Sequence, residues 1–179
     1  MNKAAFLDRD GVINEEVNYL HEPDKVRIIP GVAGALRRLR ENGFLIIVVT
    51  NQAGVARGMY QEHDIDLVHR EIDAILARDG AKIDAYYYCP HHEKFTGDCD
   101  CRKPAPGMLL QAGTDHNIDF AASFMAGDRL SDIDAGRAAG CGRLILVRTG
   151  YGAKTAADGV VGDVEIADDL SSAVDMVLK

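Results

Sequence analysis

With 179 residues the chain has the length of one domain able to bury a sizeable core, and its 47% hydrophobic and 27% charged residues suit a soluble globular protein. A formal net charge of -8 disfavours nucleic acid as a partner, because a polyanion needs a basic face, but a local cluster of cations could still hold a small phosphorylated substrate. The longest aliphatic run, residues 44–49, is far too short to cross a bilayer, and residues 1–5 lead into an apolar strand without a signal-peptide pattern; a cytoplasmic protein with no membrane partner is expected.

Taken in chain order, apolar strands alternate with helical patterns. Residues 3–7 read as a buried strand that runs into Asp8-Arg9-Asp10-Gly11. Two carboxylates so close repel unless a cation or a proton intervenes, although Asp-x-Asp alone also reads as a solvated turn. Residues 32–42 form a helix opened by Pro30-Gly31 and closed by Gly43. A second strand at 44–50 ends in Thr50-Asn51-Gln52, whose hydroxyl and amide could hydrogen-bond a phosphoryl oxygen. Ile65, Val68, Ile72, Ile75 and Leu76 make an apolar stripe at helical spacing that stops at Gly80. His63 and His69 on that helix read as solvated or packed surface histidines. A third strand spans 86–89.

After it come Cys89-Pro90-His91-His92 and Cys99-Asp100-Cys101. They offer three thiolates and an imidazole, His91 or His92, within thirteen residues. Leaderless cysteines do not suggest disulfides, and this set suits a closed tetrahedral zinc site that ties down a loop with little core of its own. Arg102-Lys103-Pro104 follows. Lys103 could neutralise a phosphoryl group and Arg102 could grip a second anion, although the pair alone reads as a solvated patch. A helix at 108–116 leads to a strand at 124–126 and then to Gly127-Asp128-Arg129-Leu130-Ser131-Asp132. Its two acids suit a hard divalent cation, and Asp132 also suits a helix N-terminus. A helix at 131–139, a strand at 144–147, a mobile loop at 150–162 and a helix at 171–178 complete the chain. His116 near a helix end, Cys141 as a small buried hydrophobe and the exposed Arg37-Arg38-Arg40 face need no chemical role. Alternation of this kind predicts an α/β fold with a mostly parallel sheet covered on both faces, as one domain over 1–179, with ligands at the carboxyl ends of the strands.

Asp-x-Asp-Gly, strand-Thr, Lys-Pro and Gly-Asp-x-x-x-Asp, in that order and each after a strand, resemble the haloacid-dehalogenase (HAD) superfamily of phosphotransferases over about residues 4–140. The resemblance implies a three-layer Rossmann-like fold. Asp8 would be the nucleophile that forms an aspartyl-phosphate, and Asp10 the general acid and base. Mg²⁺ would be held by Asp8, Asp128 and the Asp10 backbone carbonyl. Thr50 and Lys103 would cradle the phosphoryl oxygens, with Asp132 orienting Lys103 or a metal-bound water. The cysteine loop narrows the resemblance to the branch of D,D-heptose 1,7-bisphosphate and histidinol-phosphate phosphatases, in which no large cap domain occurs, a monomer is usual and the zinc ligands would be Cys89, His91, Cys99 and Cys101. Asn14 with Tyr19-Leu20-His21, and the run from Asn51 to Gly58, look more like the heptose enzymes, which remove the 7-phosphate in nucleotide-activated heptose synthesis for lipopolysaccharide or surface glycans. Arg57 and Arg102 would then meet the second phosphate of a small sugar substrate, with Asn51 beside the first. Glu15, Glu16 and Asp24 keep a histidinol-phosphate phosphatase in play, because that substrate carries an ammonium group. A catalytically silent zinc-binding scaffold would not need Asp8, Asp10, Lys103 and Asp128 together, and a phosphomutase would need a cap.

Overall fold

The computed structural model describes residues 1–159 and 162–179. Six strands, β1 (Lys3–Leu7), β2 (Phe44–Asn51), β3 (Ala85–Cys89), β4 (Phe124–Gly127), β5 (Arg143–Val147) and β6 (Val164–Ala167), pair in parallel in the order β3-β2-β1-β4-β5-β6. Between them run α1 (Val32–Glu41), α2 (Glu62–Arg78), α3 (Glu93–Thr96), α4 (Gly107–His116), α5 (Leu130–Ala139), α6 (Gly152–Ala157) and α7 (Leu170–Val177).

The strands are apolar throughout because both faces are covered. Along β1, Ala5 and Leu7 point into one core with Ile46 and Val48 of β2, against α1, α2 and α7. Ala4 and Phe6 point into the other, with Ile47 and Val49, against α4 and α5. The chain first builds outward from β1 through β2 to β3, then returns to place β4 on the other side of β1. The strand order therefore reverses between β1 and β4. Connections leave on opposite faces there and open a crevice at the carboxyl ends, where Asp8 and Asp128 stand.

The five strands and the longer helices expected from sequence are present, within a residue or two at their ends. Strand β6 was missed: it has only four residues and little apolar alternation, and it is held by the β5 ladder and by Arg143, which donates to both Glu165 oxygens at 2.7 and 2.8 Å. The expected mobile loop at 150–162 instead contains α6, an N-terminal turn docked where Thr155 donates to the Asp128 carbonyl at 2.9 Å; residues 160 and 161 of that loop lie outside the described residues. Among the described residues no helix is long and apolar enough to cross a membrane.

His69 also departs from expectation. It is 6% exposed, stacks on Tyr86 at 4.0 Å between ring centroids, and leaves Nε2 without a partner among the described residues. Burial, with a smaller push from Arg9, lowers its pKa to about 3. A folded-state value below that of the unfolded chain means that the unfolded state takes up the proton first. The contribution to stability is thus complete above about pH 6.5 and is lost as the pH falls below it. At pH 5 the loss is about 2 kcal/mol relative to pH 7.5. His69→Phe should flatten the fall in melting temperature between pH 7.5 and 5, as read by thermal melts across that range; an unchanged slope would show that other groups carry it.

Candidate active site

A cavity of about 480 Å³ opens at the carboxyl ends of the strands, within the range of small-molecule sites. Its wall includes Asp8 and Asp10 from the β1 end, Thr50 and Gln52 from β2, Lys103 after the cysteine loop, and Asp132 of α5. Position along the sheet explains the gathering, since residues far apart in sequence are next to one another once β2, β1 and β4 lie side by side.

Asp8 continues the β1–β4 ladder, its N–H donating to the Ala126 carbonyl at 3.0 Å. Its Oδ1 accepts from the Arg9 N–H at 2.8 Å and from Lys103 Nζ at 2.9 Å. Lys103 is 3% exposed and has all three ammonium protons placed, on Asp8, on Asp132 Oδ1 at 2.6 Å and on the Val49 carbonyl at 2.7 Å. Burial alone would lower its pKa, but Asp132 and Asp8 outweigh that and push it up, so the side chain is a fixed cation. Asp132 also accepts the Arg129 N–H at 3.0 Å through Oδ2, so it caps α5 and steers Lys103 at the same time.

Asp8, Asp128 and Asp132 each bring a carboxylate oxygen to within 4.8 Å of the others. Burial raises the pKa of both Asp8 and Asp128, with neighbouring carboxylates adding to the push. Asp128 Oδ2 accepts the Tyr151 N–H at 2.7 Å, while its buried Oδ1 has no partner among the described residues. Desolvated acids with an unsatisfied oxygen fit a hard divalent cation. Gly11 completes the arrangement. Its φ is +83°, and a Cβ there would drive into Asp128 Oδ2, so both the turn and the close approach require glycine.

The Asp10 side chain stands apart from that acid group. Oδ1 accepts from Arg9 Nε at 3.2 Å, Arg9 Nη2 at 3.1 Å and Asn14 Nδ2 at 2.9 Å, and Oδ2 accepts from Arg9 Nη2 at 3.0 Å and Gln52 Nε2 at 3.2 Å. Sequence reasoning missed Arg9. It is completely buried, and nothing in the pattern of an arginine between two aspartates shows that it folds inward. Asn51 has a structural task as well. Both ends of its amide bind the Lys103 backbone, Nδ2 to the carbonyl and Oδ1 to the N–H, each at 3.0 Å, so it holds the lysine's loop while its second Nδ2 proton stays available at the cavity wall.

Arg57 and Arg102 both line the cavity. Arg57 lies over the Phe95 ring at 5.2 Å and the Tyr19 ring at 5.8 Å, while Arg102 donates to the His91 carbonyl at 3.1 Å. Arg129, absent from the sequence reading, is a third guanidinium on the wall, its Cζ over the Tyr151 ring at 3.8 Å from the centroid. None of the three makes an ion pair among the described residues. Of the acids that favoured an ammonium substrate, only Glu16 faces the cavity; Glu15 and Asp24 are exposed elsewhere.

Cys89, His91, Cys99 and Cys101 form a second group of metal-ligating atoms. His91 Nδ1 lies 3.4 Å from Cys101 Sγ and 3.8 Å from Cys89 Sγ, and Cys99 Sγ lies 3.5 Å from Cys101 Sγ and 3.6 Å from Cys89 Sγ. Those spacings match the edges of a tetrahedron around zinc, about 3.7 Å for bonds of about 2.3 Å; the Cys89–Cys101 edge is tighter at 2.9 Å. His92, the competing ligand, turns away and caps α3 by accepting the Lys94 N–H at 3.2 Å.

Comparison with known proteins follows this geometry. Residues 100–173 match the HAD-hydrolase-like family. The chain is 45% identical to a D-glycero-beta-D-manno-heptose-1,7-bisphosphate 7-phosphatase of Salmonella typhi, over 96% of this chain and 94% of that one. It is 49% identical to the protein of that name from Escherichia coli K12, over 82% and 80%. The crystal structure of D,D-heptose 1,7-bisphosphate phosphatase from B. bronchiseptica, complexed with magnesium and phosphate, superposes with a TM-score of 0.90 at 34% identity, covering 98% of both chains.

Proposed function

Because the chain belongs to the HAD-like family of D,D-heptose 1,7-bisphosphate phosphatases, we propose that it hydrolyses the 7-phosphate of D-glycero-β-D-manno-heptose 1,7-bisphosphate through a covalent phosphate on Asp8. The observation that carries this reading is a buried carboxylate, paired with a fixed ammonium, facing a cavity whose wall bears three guanidiniums without carboxylate partners among the described residues. A substrate with two phosphates needs both features.

Asp8 attacks phosphorus as the bond to the C7 oxygen breaks, and Asp10 gives its proton to that leaving oxygen. Water then attacks phosphorus, the Asp8–phosphorus bond breaks, and Asp10 takes the water's proton. Lys103, held by Asp132, balances the charge on the phosphoryl oxygens, and Thr50 donates its hydroxyl to them. Asp8, Asp128 and the Asp10 backbone carbonyl would hold Mg²⁺, which supplies charge neutralisation for a carboxylate and a dianion brought together. Cys89, His91, Cys99 and Cys101 would hold a structural Zn²⁺, which supplies rigidity to a loop whose helix, α3, buries no residue. Arg57 and Arg102 meet the C1 phosphate. The β configuration at C1 is carried from the names of the relatives. We read it as a monomeric cytoplasmic enzyme of nucleotide-activated heptose synthesis, as the sequence resemblance implies.

The test is a side-by-side assay of heptose 1,7-bisphosphate and histidinol phosphate with Mg²⁺. The bisphosphate should win in kcat/KM by roughly 100-fold or more, the scale set by unpaired cations in a site built for an anion. A preference for histidinol phosphate would reverse the assignment.

A further inference from the structure

Gln52 is 2% exposed and its side chain is fully committed. Its backbone N–H donates to the Cys89 carbonyl at 2.8 Å, which ties it to β3. Its Oε1 accepts the Tyr60 hydroxyl at 2.7 Å, and this decides which way the amide faces. Tyr60 reaches that position because it lies flat over Gly54, where any Cβ would collide with its ring. With Oε1 engaged, the two Nε2 protons go to two partners, Asp10 Oδ2 at 3.2 Å and Thr50 Oγ1 at 2.9 Å.

Each contact has a chemical consequence. Since Thr50 Oγ1 accepts from Gln52, its own proton must point elsewhere, and among the described residues nothing accepts it. Thr50 lines the cavity, so that proton is available to a phosphoryl oxygen. Asp10 receives only N–H donors, from Arg9, Asn14 and Gln52. Such a cage fixes where the Asp10 carboxyl stands beside the cavity that the leaving oxygen enters.

We infer that Gln52 is a positioning residue that couples the proton donor to the phosphoryl cradle: one amide holds the Asp10 carboxyl in place and aims the Thr50 hydroxyl. The inference rests on the phosphatase reading but not on the identity of the sugar. It applies to the step in which Asp8 bonds to phosphorus, the ester oxygen leaves and Asp10 delivers the proton to it. An alkoxide leaving group needs that proton. A p-nitrophenolate does not.

The experiment compares kcat/KM, which covers the chemistry up to release of the leaving group, for an alkyl phosphate and for p-nitrophenyl phosphate. Wild type and Gln52→Met are assayed with Mg²⁺ present. The ratio of alkyl to aryl kcat/KM should fall roughly 10-fold or more in the variant, the scale of one general-acid contribution. KM for the alkyl phosphate should stay close to that of the wild type, so that the loss appears in kcat. Equal losses on both substrates, or none, would overturn the inference, because a residue that merely supports the fold cannot sense the acidity of the leaving group. If Gln52→Met does not fold, Gln52→Glu, with the same shape and no amide donor, carries the same comparison. Failure of the wild type to hydrolyse any alkyl phosphate would overturn the phosphatase reading itself, a separate result.

Discussion

Replacing Asp8 by Asn is expected to reduce turnover by roughly four orders of magnitude or more, the scale of removing a covalent nucleophile. An amide oxygen can still accept from Arg9 N–H and Lys103 Nζ, the two donors on Asp8 Oδ1, so the local geometry has no reason to collapse. Burial makes the Asp8 charge costly, Lys103 offsets that cost and three neighbouring carboxylates add to it, so a neutral group of the same shape should leave the melting temperature close to that of the wild type. Steady-state assay with Mg²⁺, melting temperature, and acid-quenched mass spectrometry for a phosphoryl-enzyme together check the claim. Turnover near wild type, or a phosphoryl adduct persisting in Asp8→Asn, would place the nucleophile elsewhere.

The second large effect is expected at the cysteine loop. Cys99→Ser should lose bound zinc and lower the melting temperature by roughly 5 °C or more, equivalent to a few kcal/mol for a chain of this size. The reason is local. The four-residue helix α3 buries nothing, so the four ligand atoms are its main tie to the rest of the protein. Arg102 hangs from the same loop through the His91 carbonyl, and Lys103 follows it. KM for the bisphosphate should therefore rise as zinc is lost, while a Cys141→Ser control, outside the cluster, keeps its metal. Metal analysis by inductively coupled plasma spectrometry and thermal melts decide the point. A normal zinc content in Cys99→Ser would dismantle the ligand set.

Much of the candidate site was legible in the linear chain because the proposed catalytic groups follow strands, and strands this apolar are recognisable. Asp8 and Asp128 could be placed that way, each the residue after a buried strand, and Thr50 as the first polar residue after the apolar stretch of β2. Other groups gave no such signal. Arg9 and Arg129 are the same residue type beside an active-site aspartate, yet the first is wholly buried and the second is exposed in the cavity. Asn51 and Gln52 are adjacent amides after one strand, but strand alternation sends one to the Lys103 backbone and the other to Asp10. His69 was placed on the surface by its polarity and buried by its position on the inward stripe of α2.

From the order and spacing of its motifs the chain showed its fold class and a resemblance that implies phosphotransfer chemistry and the residues proposed to bear it, since covalent spacing after a strand sets which groups reach the carboxyl edge. Partnership was decided only in three dimensions. Which donor faces which acceptor depends on the packing of β2, β1 and β4 side by side, and an orientation imposed by neighbours distant in sequence leaves no trace in local pattern.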